Sequence, residues 1–544
     1  MKYIFVSGGV ISGIGKGIAT ASISLLLKSA GYIVAPIKCD PYLNVDAGTM
    51  NPTIHGETFV LDDGAETDQD LGHYERFLGE SLNKTNITTS GQVYLSVIQR
   101  ERNLEYDGEC VEAVPHIPEE FIRRIEAAGK NRNADVVVIE IGGTVGELQN
   151  VFIFEANRML KMKHPGDVLH IHISYLPVPP SIGEMKSKPV QMSVKELNSI
   201  GIQPDILLAR SELPIDETRK RKLSLFCGVE PEDVIPAPDV SNIYEVPINF
   251  EGGHLTDRIL KKLGLKRKTK DLVAWRGFIE RVKKSEKQVK IGIVGKYFST
   301  GDFTLADSYV SVIEAIKHAS WNLGLVPKIT WVDSGKILNN INKLSEFQGI
   351  IVPGGFGSRD IEGKIEAIKF CRENKIPYFG LCYGMQLAVV EYARNVLGMS
   401  GANTTEVDKD TKYPVIHIMP EQEKRLLRKD YGGTMRLGAW PCKLEKGTLA
   451  YKLYRDSSLF THHSSLIQER HRHRFEFNNT FLKKFTNGLS VAGTSPDGKL
   501  VEIMELKDHP FFIGTQFHPE LKSRPLEPHP LFLGFISAAS KQGL

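Results

Sequence analysis

Cysteine is scarce in this chain: six among 544 residues, dispersed, with no C-x-x-C pair. Cys39, Cys110, Cys227, Cys371, Cys382 and Cys442 therefore point to neither a disulfide framework nor a zinc site, and a reducing cytoplasm is the expected setting. Long apolar runs are missing as well. No stretch reaches the roughly 18 residues that a bilayer span requires, and Met1-Lys2 leads directly into a strand-like segment, so neither a membrane segment nor a signal peptide is expected. Excess charge of one sign is also lacking, since 68 Lys and Arg stand against 65 Asp and Glu for a net +3. That balance gives no support to a nucleic-acid-coating protein, while leaving room for a local polyphosphate site. Internal repeats and low-complexity tracts are absent, which excludes repeat arrays.

What remains is an ordinary globular composition, 41% apolar and 24% charged, in a chain too long for one domain. Short β-branched runs at Lys2 to Ser7, Val136 to Ile141, Val168 to Ser174 and Ile206 to Ala209 alternate with longer amphipathic stretches. That rhythm predicts an α/β fold in which parallel sheets are flanked by helices. It is interrupted by "LKRKTKDLVAWRGFIERVKKSEKQVK", residues 265–290, after which a new strand begins at "KIGIVGKY". A basic run of this kind can touch nucleic acid, but a solvated helix face is the commoner meaning. The expected organisation is a first domain over 1–265, a linker with one surface helix over 266–289, and a second domain over 290–544.

The opening "YIFVSGGVISGIGKGIATASISLLL" has the layout of a strand, a glycine-rich turn and a helix starting at Lys16. Ile18, Ala21 and Leu25 are expected on the inner face of that helix, with Gly31 as its stop. Glycines let backbone N–H groups turn inward around an anion, the helix start adds partial positive charge, and Lys16 adds a full one. Two features depart from G-x-x-x-x-G-K-[ST]: Val10 holds the place of the first glycine, and Gly17 follows the lysine where a magnesium-binding hydroxyl is usual. A hard cation must then rely on carboxylates. Asp68 and Asp70 in "DDGAETDQDLGHYERF" are candidates, as is Glu140, which sits near the carboxyl end of the apolar strand in "DVVVIEIGGTVGE". Lys186 and Lys188, beside Pro189 and ahead of a helix, fit either a second polyphosphate contact or a plain surface turn.

In the second half, "IPYFGLCYGMQLAVVEYA" reads as a strand, Cys382 at a glycine-flanked turn, and a helix. This layout exposes a nucleophile and aims a helix start at it. "FFIGTQFHPELKS" supplies His518 as base and Glu520 to orient it, and "GIIVPGGFGSRD" supplies backbone N–H groups around Gly355 for an oxyanion. Together these three pieces make one acyl-transfer site.

With Cys382 in "GLCYGMQ", "QFHPE" and "VPGGFG", the second half resembles a triad-type glutamine amidotransferase. The first half, through "GGVISGIGKGIA", "KCDPYLNVDAGTMNPTIHGE", "DDGAETDQDLGHYERF", "EIGGTVGE" and "SVKELNSIGIQPDILLARS", resembles the amidoligase domain of the CTP synthase family. "GGTMRLG" and "RHRHRFE" extend the likeness over nearly the whole chain. The resemblance implies a P-loop-type parallel-sheet amidoligase followed by an α/β glutamine amidotransferase. Glutamine would be hydrolysed at Cys382, and the ammonia would be led internally to UTP activated by ATP, giving CTP with Mg2+ as cofactor. It further implies GTP activation, CTP inhibition, and homodimers that pair into homotetramers and filaments.

Carried over by motif, Gly13, Ile14, Gly15, Lys16, Gly17, Ile18 and Asp70 would meet ATP, and Asp70 with Glu140 the metal. UTP or CTP would be met by Ser12, Lys38, Glu147, Leu148, Gln149, Lys186, Ser187, Lys188, Pro189, Val190, Gln191 and Lys222. Glutamine would meet Gly355, Tyr383, Gly384, Met385, Gln386, Glu406 and Arg474, with Glu406 and Arg474 taking its zwitterionic end. His55 and His116 would line the ammonia route, and Arg359 would meet GTP.

The chain departs from the family pattern in three places: Glu147-Leu148-Gln149 replaces Asp-Ile-Glu, Tyr383 replaces Leu, and Gly13 replaces Ser. Cobyrinate-type amidoligases pair a similar loop with a similar triad, but "KCDPYLNVDAGTM" favours the CTP synthase pattern. A MinD-type switch would carry a second lysine and a threonine roughly where Ser7 and Gly17 stand.

Overall fold

A computed structural model describes residues 1–50, 56–181, 183–269, 271–295, 299–300, 303–304, 306–357, 360–419, 435–457, 465–486 and 488–542. The chain forms two compact units, one of Met1–Ala47 with Asp70–Ile279, the other of Gly48–Gln69 with Glu280–Leu544.

Unit 1 is built on seven strands: β1 (Lys2–Gly8), β2 (Val34–Asp40), β3 (Ile87–Thr89), β4 (Val136–Ile141), β5 (Val168–Tyr175), β6 (Ile206–Ser211) and β7 (Val234–Pro238). They lie in the order β3-β2-β4-β1-β5-β6-β7, with every neighbouring pair parallel. Continuous apolar runs such as "VVVIEI" suit this, because helices cover both faces of a parallel sheet and both must be apolar. β4 is buried along its whole length, Glu140 included. Parallel strands end at one edge, so the turn after β1 and the ends of β2 and β4 open on the same side.

The helices used below are α1 (Lys16–Ser29), α2 (Gln69–Leu78), α3 (Ala113–Asn131), α4 (Val151–Lys163), α5 (Lys188–Ser199), α6 (Val246–Gly252) and α7 (Val273–Lys284). The expectation of a single inner face on α1 is corrected. Ile18 and Leu25 are only half-buried, whereas Ala19, Ala21, Ile23, Leu26 and Leu27 are buried, as are Thr20, Ser22 and Ser24. The helix is covered by the sheet and also by α6, so small residues are needed on its second side. Ser22 and Ser24 donate their hydroxyls to the carbonyls of Ile18 and Thr20, at 2.7 and 2.8 Å, which leaves neither hydroxyl bare in the core. Gly31 ends the helix as expected, with φ 93°.

The basic stretch before unit 2 contains α7. Its lysines and arginines crowd the last turn, while Trp275, Phe278 and Ile279 form a buried stripe. Trp275 Nε1 donates to the Tyr244 carbonyl at 2.9 Å, and its ring lies 5.3 Å from that of Phe77. The helix is therefore packed on one side and solvated on the other.

Unit 2 carries a nine-stranded sheet: β8 (Lys287–Gly295), β9 (Leu325–Asp333), β10 (Gly349–Val352), β11 (Tyr378–Leu381), β12 (Arg436–Leu444), β13 (Leu466–His473), β14 (Leu489–Thr494), β15 (Val501–Leu506) and β16 (Phe512–Thr515). The order is β9-β8-β10-β11-β16-β15-β14-β12-β13, parallel from β9 to β16 and antiparallel beyond. α8 (Tyr383–Asn395) follows β11, and apolar clusters fill both faces of the sheet. A hairpin from the first half of the sequence, Phe59–Val60 paired with Glu66–Thr67, belongs to this unit. Its Asp62 carbonyl accepts from the Ala439 amide at 2.9 Å.

Trp275→Ala should destabilise unit 1 by about 3–5 kcal/mol, the usual cost of emptying a buried aromatic site. Urea unfolding followed by circular dichroism measures it.

Candidate active sites

Beyond β1 the chain turns through residues 9–15 into α1. Val10 (φ 78°), Gly13 (φ 72°) and Gly15 (φ 95°) all take left-handed backbone conformations. Val10 thus adopts the geometry of the glycine it replaces, with the strain that a β-branched residue brings there. Lys16 is buried at the helix start, and burial, with help from Lys38, lowers its pKa.

Lys38 on β2 and Glu140 on β4 are register partners in adjacent strands, so their side chains leave the sheet on one face. Lys38 Nζ lies 2.8 Å from Glu140 Oε1 and also binds Asp70 Oδ2. Tyr74, one helical turn after Asp70 on α2, donates its hydroxyl to the other Glu140 oxygen. Burial and then the Asp70 charge push the Glu140 carboxyl up. Burial works the same way on Asp70, but Lys38 outweighs it and holds that carboxyl down. Asp40 lies 3.8 Å from Lys38. Lys16 and Lys38 thus share the field of Asp40, Asp70 and Glu140, of which Asp40 and Glu140 are buried and Asp70 is half-buried.

Gly17 has a steric reason. A Cβ there would sit 2.0 Å from Asp70 Oδ1 and 2.7 Å from its Cγ. The space of the usual hydroxyl is occupied by a carboxylate reaching in from α2.

The segments expected to meet the pyrimidine nucleotide belong to unit 1, as this loop does. Ser12 is exposed at its tip. Lys186 pairs with Glu184 at 2.7 Å just ahead of α5, whose first residues are Lys188, Pro189, Val190 and Gln191. Gln191 Nε2 is 3.2 Å from Ser187 Oγ. Lys186, then Arg219 and Lys222, lower the pKa of Glu184, so the three cations gather at one place. Glu147 accepts from the Thr144 amide and hydroxyl, at 2.7 and 2.6 Å, and from Gln149 at 2.7 Å. Leu148 is 92% exposed.

His116, at the start of α3, accepts from the Glu112 amide at 3.0 Å and stacks edge-on against Tyr106. His55 and Arg359 lie outside the described residues. A cavity of about 110 Å³ flanks Gly15 and Ile18, closed by Arg210, Pro238, Asp239 and Phe250. Arg210 holds it in shape, donating to the Ile14 carbonyl at 2.5 Å and pairing with Asp239 at 3.0 Å. Sequence patterning alone does not single out these residues, because β6 and β7 bring them to the loop from far along the chain.

In unit 2, Cys382 joins β11 to α8 at φ 48° and ψ −96°, a strained elbow. The flanking glycines permit the tight turn, since a Cβ at Gly384 would meet the Val352 carbonyl at 2.1 Å and one at Gly380 would meet Gly384 C at 2.7 Å. Cys382 lines a cavity of about 300 Å³ together with Gly355, Gln386, Glu406, Arg474, His518 and Glu520. A Cβ on Gly354 would lie 2.8 Å from His518 Cε1 and 3.8 Å from Cys382 Cβ, so base and nucleophile abut the same loop.

His518 Nδ1 is 2.7 Å from Glu520 Oε1, while Nε2 has no hydrogen-bond partner among the described residues. Burial opposes the imidazolium, but the charges of Glu520 and Cys382 outweigh it and raise the pKa well above the usual 6.5. Glu406 accepts from the Gly357 amide at 2.7 Å, which ties the expected glutamine anchor to the glycine loop.

Three residues expected in the glutamine pocket sit behind it, outside the cavity lining. Tyr383 points into the core and donates to the Gly357 carbonyl at 2.8 Å, Met385 packs under Gly514, and Gly384 presses on β10. Further contacts on the cysteine come from Gln516, whose Nε2 is 3.5 Å from Sγ, and from the Arg472 carbonyl at 3.9 Å. Arg472 pairs with Glu66 at 2.8 Å and the fully buried Arg470 with Asp62 at 2.6 Å, which anchors the Phe59–Thr67 hairpin to β13. The alternating "RHRHR" was the only sequence signal for this arrangement.

Residues 304–538 match the class-I glutamine amidotransferase family, so unit 2 is the nitrogen-releasing half of a glutamine-dependent enzyme. Residues 2–265 match the family described as CTP synthase N-terminus. CTP synthase of Caldanaerobacter subterraneus is 50% identical, over 99% of this chain and 98% of its own. That of Sulfolobus acidocaldarius is also 50% identical, over 99% of each. A solved glutaminase domain of Trypanosoma brucei CTPS with bound acivicin is 34% identical, spans 47% of this chain and 95% of its own, and has a TM-score of 0.42. The chain belongs to the CTP synthase family. It is a ligase that aminates UTP to CTP with nitrogen from glutamine, at the expense of ATP. Among the described residues no helix is long and apolar enough to cross a membrane.

Two predictions follow from the geometry. Gly17→Ser should displace Asp70 and lower CTP formation at least about a hundredfold with either ammonia or glutamine, while glutamine hydrolysis without UTP stays within twofold. Initial rates under both nitrogen sources check this. Glu520→Gln should cut glutamine hydrolysis by about two orders of magnitude or more and spare ammonia-driven synthesis. The sign for pH is fixed by linkage: a raised imidazole pKa contributes stability below about 6.5 that is lost as pH rises through the raised value. The variant should therefore lose its His518 proton at lower pH, read from the ring resonances.

Proposed function

We propose that the two sites act in sequence on one nitrogen atom. Cys382 Sγ attacks the glutamine carboxamide carbon, and the backbone amides of Gly355 and of the first turn of α8 hold the developing oxyanion. His518 delivers the proton to the departing ammonia, and water then hydrolyses the thioester to glutamate. Glu406 and Arg474 take the α-amino and α-carboxylate groups of glutamine. Ammonia travels inside the protein, with His55 and His116 along its route, to the loop of unit 1.

There the O4 of UTP attacks the γ-phosphorus of ATP and ADP leaves. Ammonia adds at C4, and phosphate departs to give CTP. Residues 13–18 cradle the ATP phosphates, and the cavity beside Arg210 and Asp239 accepts the adenine. Ser12, Lys38, Glu147, Leu148, Gln149, residues 186–191 and Lys222 hold the pyrimidine triphosphate. Lys16 and Lys38 stabilise charge on the transferred phosphoryl group.

Magnesium fits the residues present. Among the described residues no group of three or more His, Cys, Asp or Glu forms a metal cage, but Mg2+ is ordinarily held by one or two carboxylates with phosphate oxygens and water completing the shell. Asp70 and Glu140 would hold it, and the convergence of Asp40, Asp70 and Glu140 on the one ammonium of Lys38 is the observation in its favour. When bound, it would neutralise the ATP polyphosphate. GTP activation through Arg359, CTP feedback, assembly into homotetramers and filaments, and a cytoplasmic setting complete the reading.

The observation that carries it is the exclusion of a hydroxyl at residue 17 by Asp70, because that replaces the standard metal contact with a carboxylate. The direct experiment is to incubate the protein with ATP, UTP, Mg2+ and glutamine and to measure CTP. Cys382→Ala should reduce glutamine-driven synthesis below about a thousandth while ammonia-driven synthesis persists, and Lys16→Ala should abolish both. Loss of ammonia-driven synthesis in Cys382→Ala would refute the division of labour.

A further inference from the structure

Beneath the phosphate loop lies a buried polar chain that the reaction above does not use. Asn157 Nδ2 is 2.5 Å from His170 Nδ1, and His170 Nε2 is 2.8 Å from Ser7 Oγ. Ser7 Oγ is 2.8 Å from His172 Nδ1, and His172 Nε2 is 2.6 Å from Ser193 Oγ. Asn157, His170, Ser7 and His172 are all fully buried. The protons can be counted. If Asn157 donates to His170, then His170 must donate from Nε2 to Ser7, and a continuous chain then has Ser7 donating to His172 and His172 donating from Nε2 to Ser193. Each imidazole carries a single proton, and burial agrees by lowering both pKa values, that of His172 to about 3.

The chain links four elements, running from α4 to β5, across to β1, back to β5 and on to α5. β1 leads into the phosphate loop, α4 follows the Glu147–Gln149 turn, and α5 begins at Lys188. The loop is joined to these neighbours directly as well. Gly9 donates to the Ile173 carbonyl at 3.0 Å, and the Val145 amide donates to the Gly8 carbonyl at 2.9 Å. A Cβ on Gly9 would fall 1.7 Å from Ser193 Oγ and 3.0 Å from His172 Nε2, so the end of the chain fills the space that Gly9 leaves.

We infer that the Asn157–His170–Ser7–His172–Ser193 chain is a positioning device that sets the phosphate loop in register with both pyrimidine-nucleotide segments, bringing the γ-phosphorus into line with O4. This rests on the assignment of residues 147–149 and 186–191 to UTP. A directed chain of this kind acts as a unit, because losing one member leaves its buried neighbours unpaired. Misalignment of the two substrates slows the chemical step more than it weakens either binding event.

The test uses the full-length enzyme with ammonia as nitrogen source. Ser193→Ala and Ser7→Ala should each lower kcat about tenfold or more, with the KM values for ATP and UTP within about twofold of the parent, and with glutamine hydrolysis unchanged. The double variant should be no slower than the slower single, since either change breaks the same chain. Unchanged kcat in both singles, losses that multiply in the double, or a parallel fall in glutamine hydrolysis would overturn the proposal. Lys188→Ala separates it from the underlying assignment and should raise the KM for UTP. If it does not, the UTP assignment fails and the proposal with it; if it does while Ser193→Ala is silent, only the proposal fails.

Discussion

Charge taken out of water at the carboxyl edge of a parallel sheet is the constraint around which unit 1 is arranged. Lys38 holds both Asp70 and Glu140, and none of the three could stay ionised in that place alone. The sheet supplies Lys38 and Glu140 by strand register, and α2 supplies Asp70 and Tyr74 by helical spacing. Gly17 follows from that cluster, because the carboxylate fills the volume a larger residue would need. The missing hydroxyl of the phosphate loop thus has a steric cause: the helix start stays bare because an acid arriving from elsewhere in the chain occupies the space.

Unit 2 uses strain where unit 1 uses charge. Cys382 holds a backbone conformation that only close packing of Gly380 and Gly384 against their neighbours can enforce. The same compression brings the glycine loop against His518. Tyr383, Glu406 and Gly357 then form a bracket that ties this loop to the elbow helix.

Much of this was legible in the residues. β1, β4, β5 and β6 lie within two residues of the expected strands, and Cys382, His518 and Glu520 line one cavity. Local period and turn chemistry sufficed because each signal sits within a short window. The double-sided burial of α1 was not legible, since it depends on α6, more than two hundred residues away in sequence. Arg210 and Asp239 carry no local motif and gain their place only through strand order. The side chains of Tyr383 and Met385 turn into the core although they lie in a functional motif, because consecutive residues on a helix cannot all face one cavity.

The Phe59–Thr67 hairpin carries one further consequence. It lies in Gly48–Gln69, which is counted with unit 2 although unit 1 sequence flanks that segment on both sides, and two of its acids, Asp62 and Glu66, neutralise guanidinium groups on the strand beside the nucleophile. The boundary between the halves is therefore not a cut at one peptide bond. A glutaminase piece excised as a contiguous C-terminal fragment would keep its cysteine, histidine and glutamate but leave Arg470 in the interior without Asp62, and it would report the chemistry of a centre lacking part of its own wall.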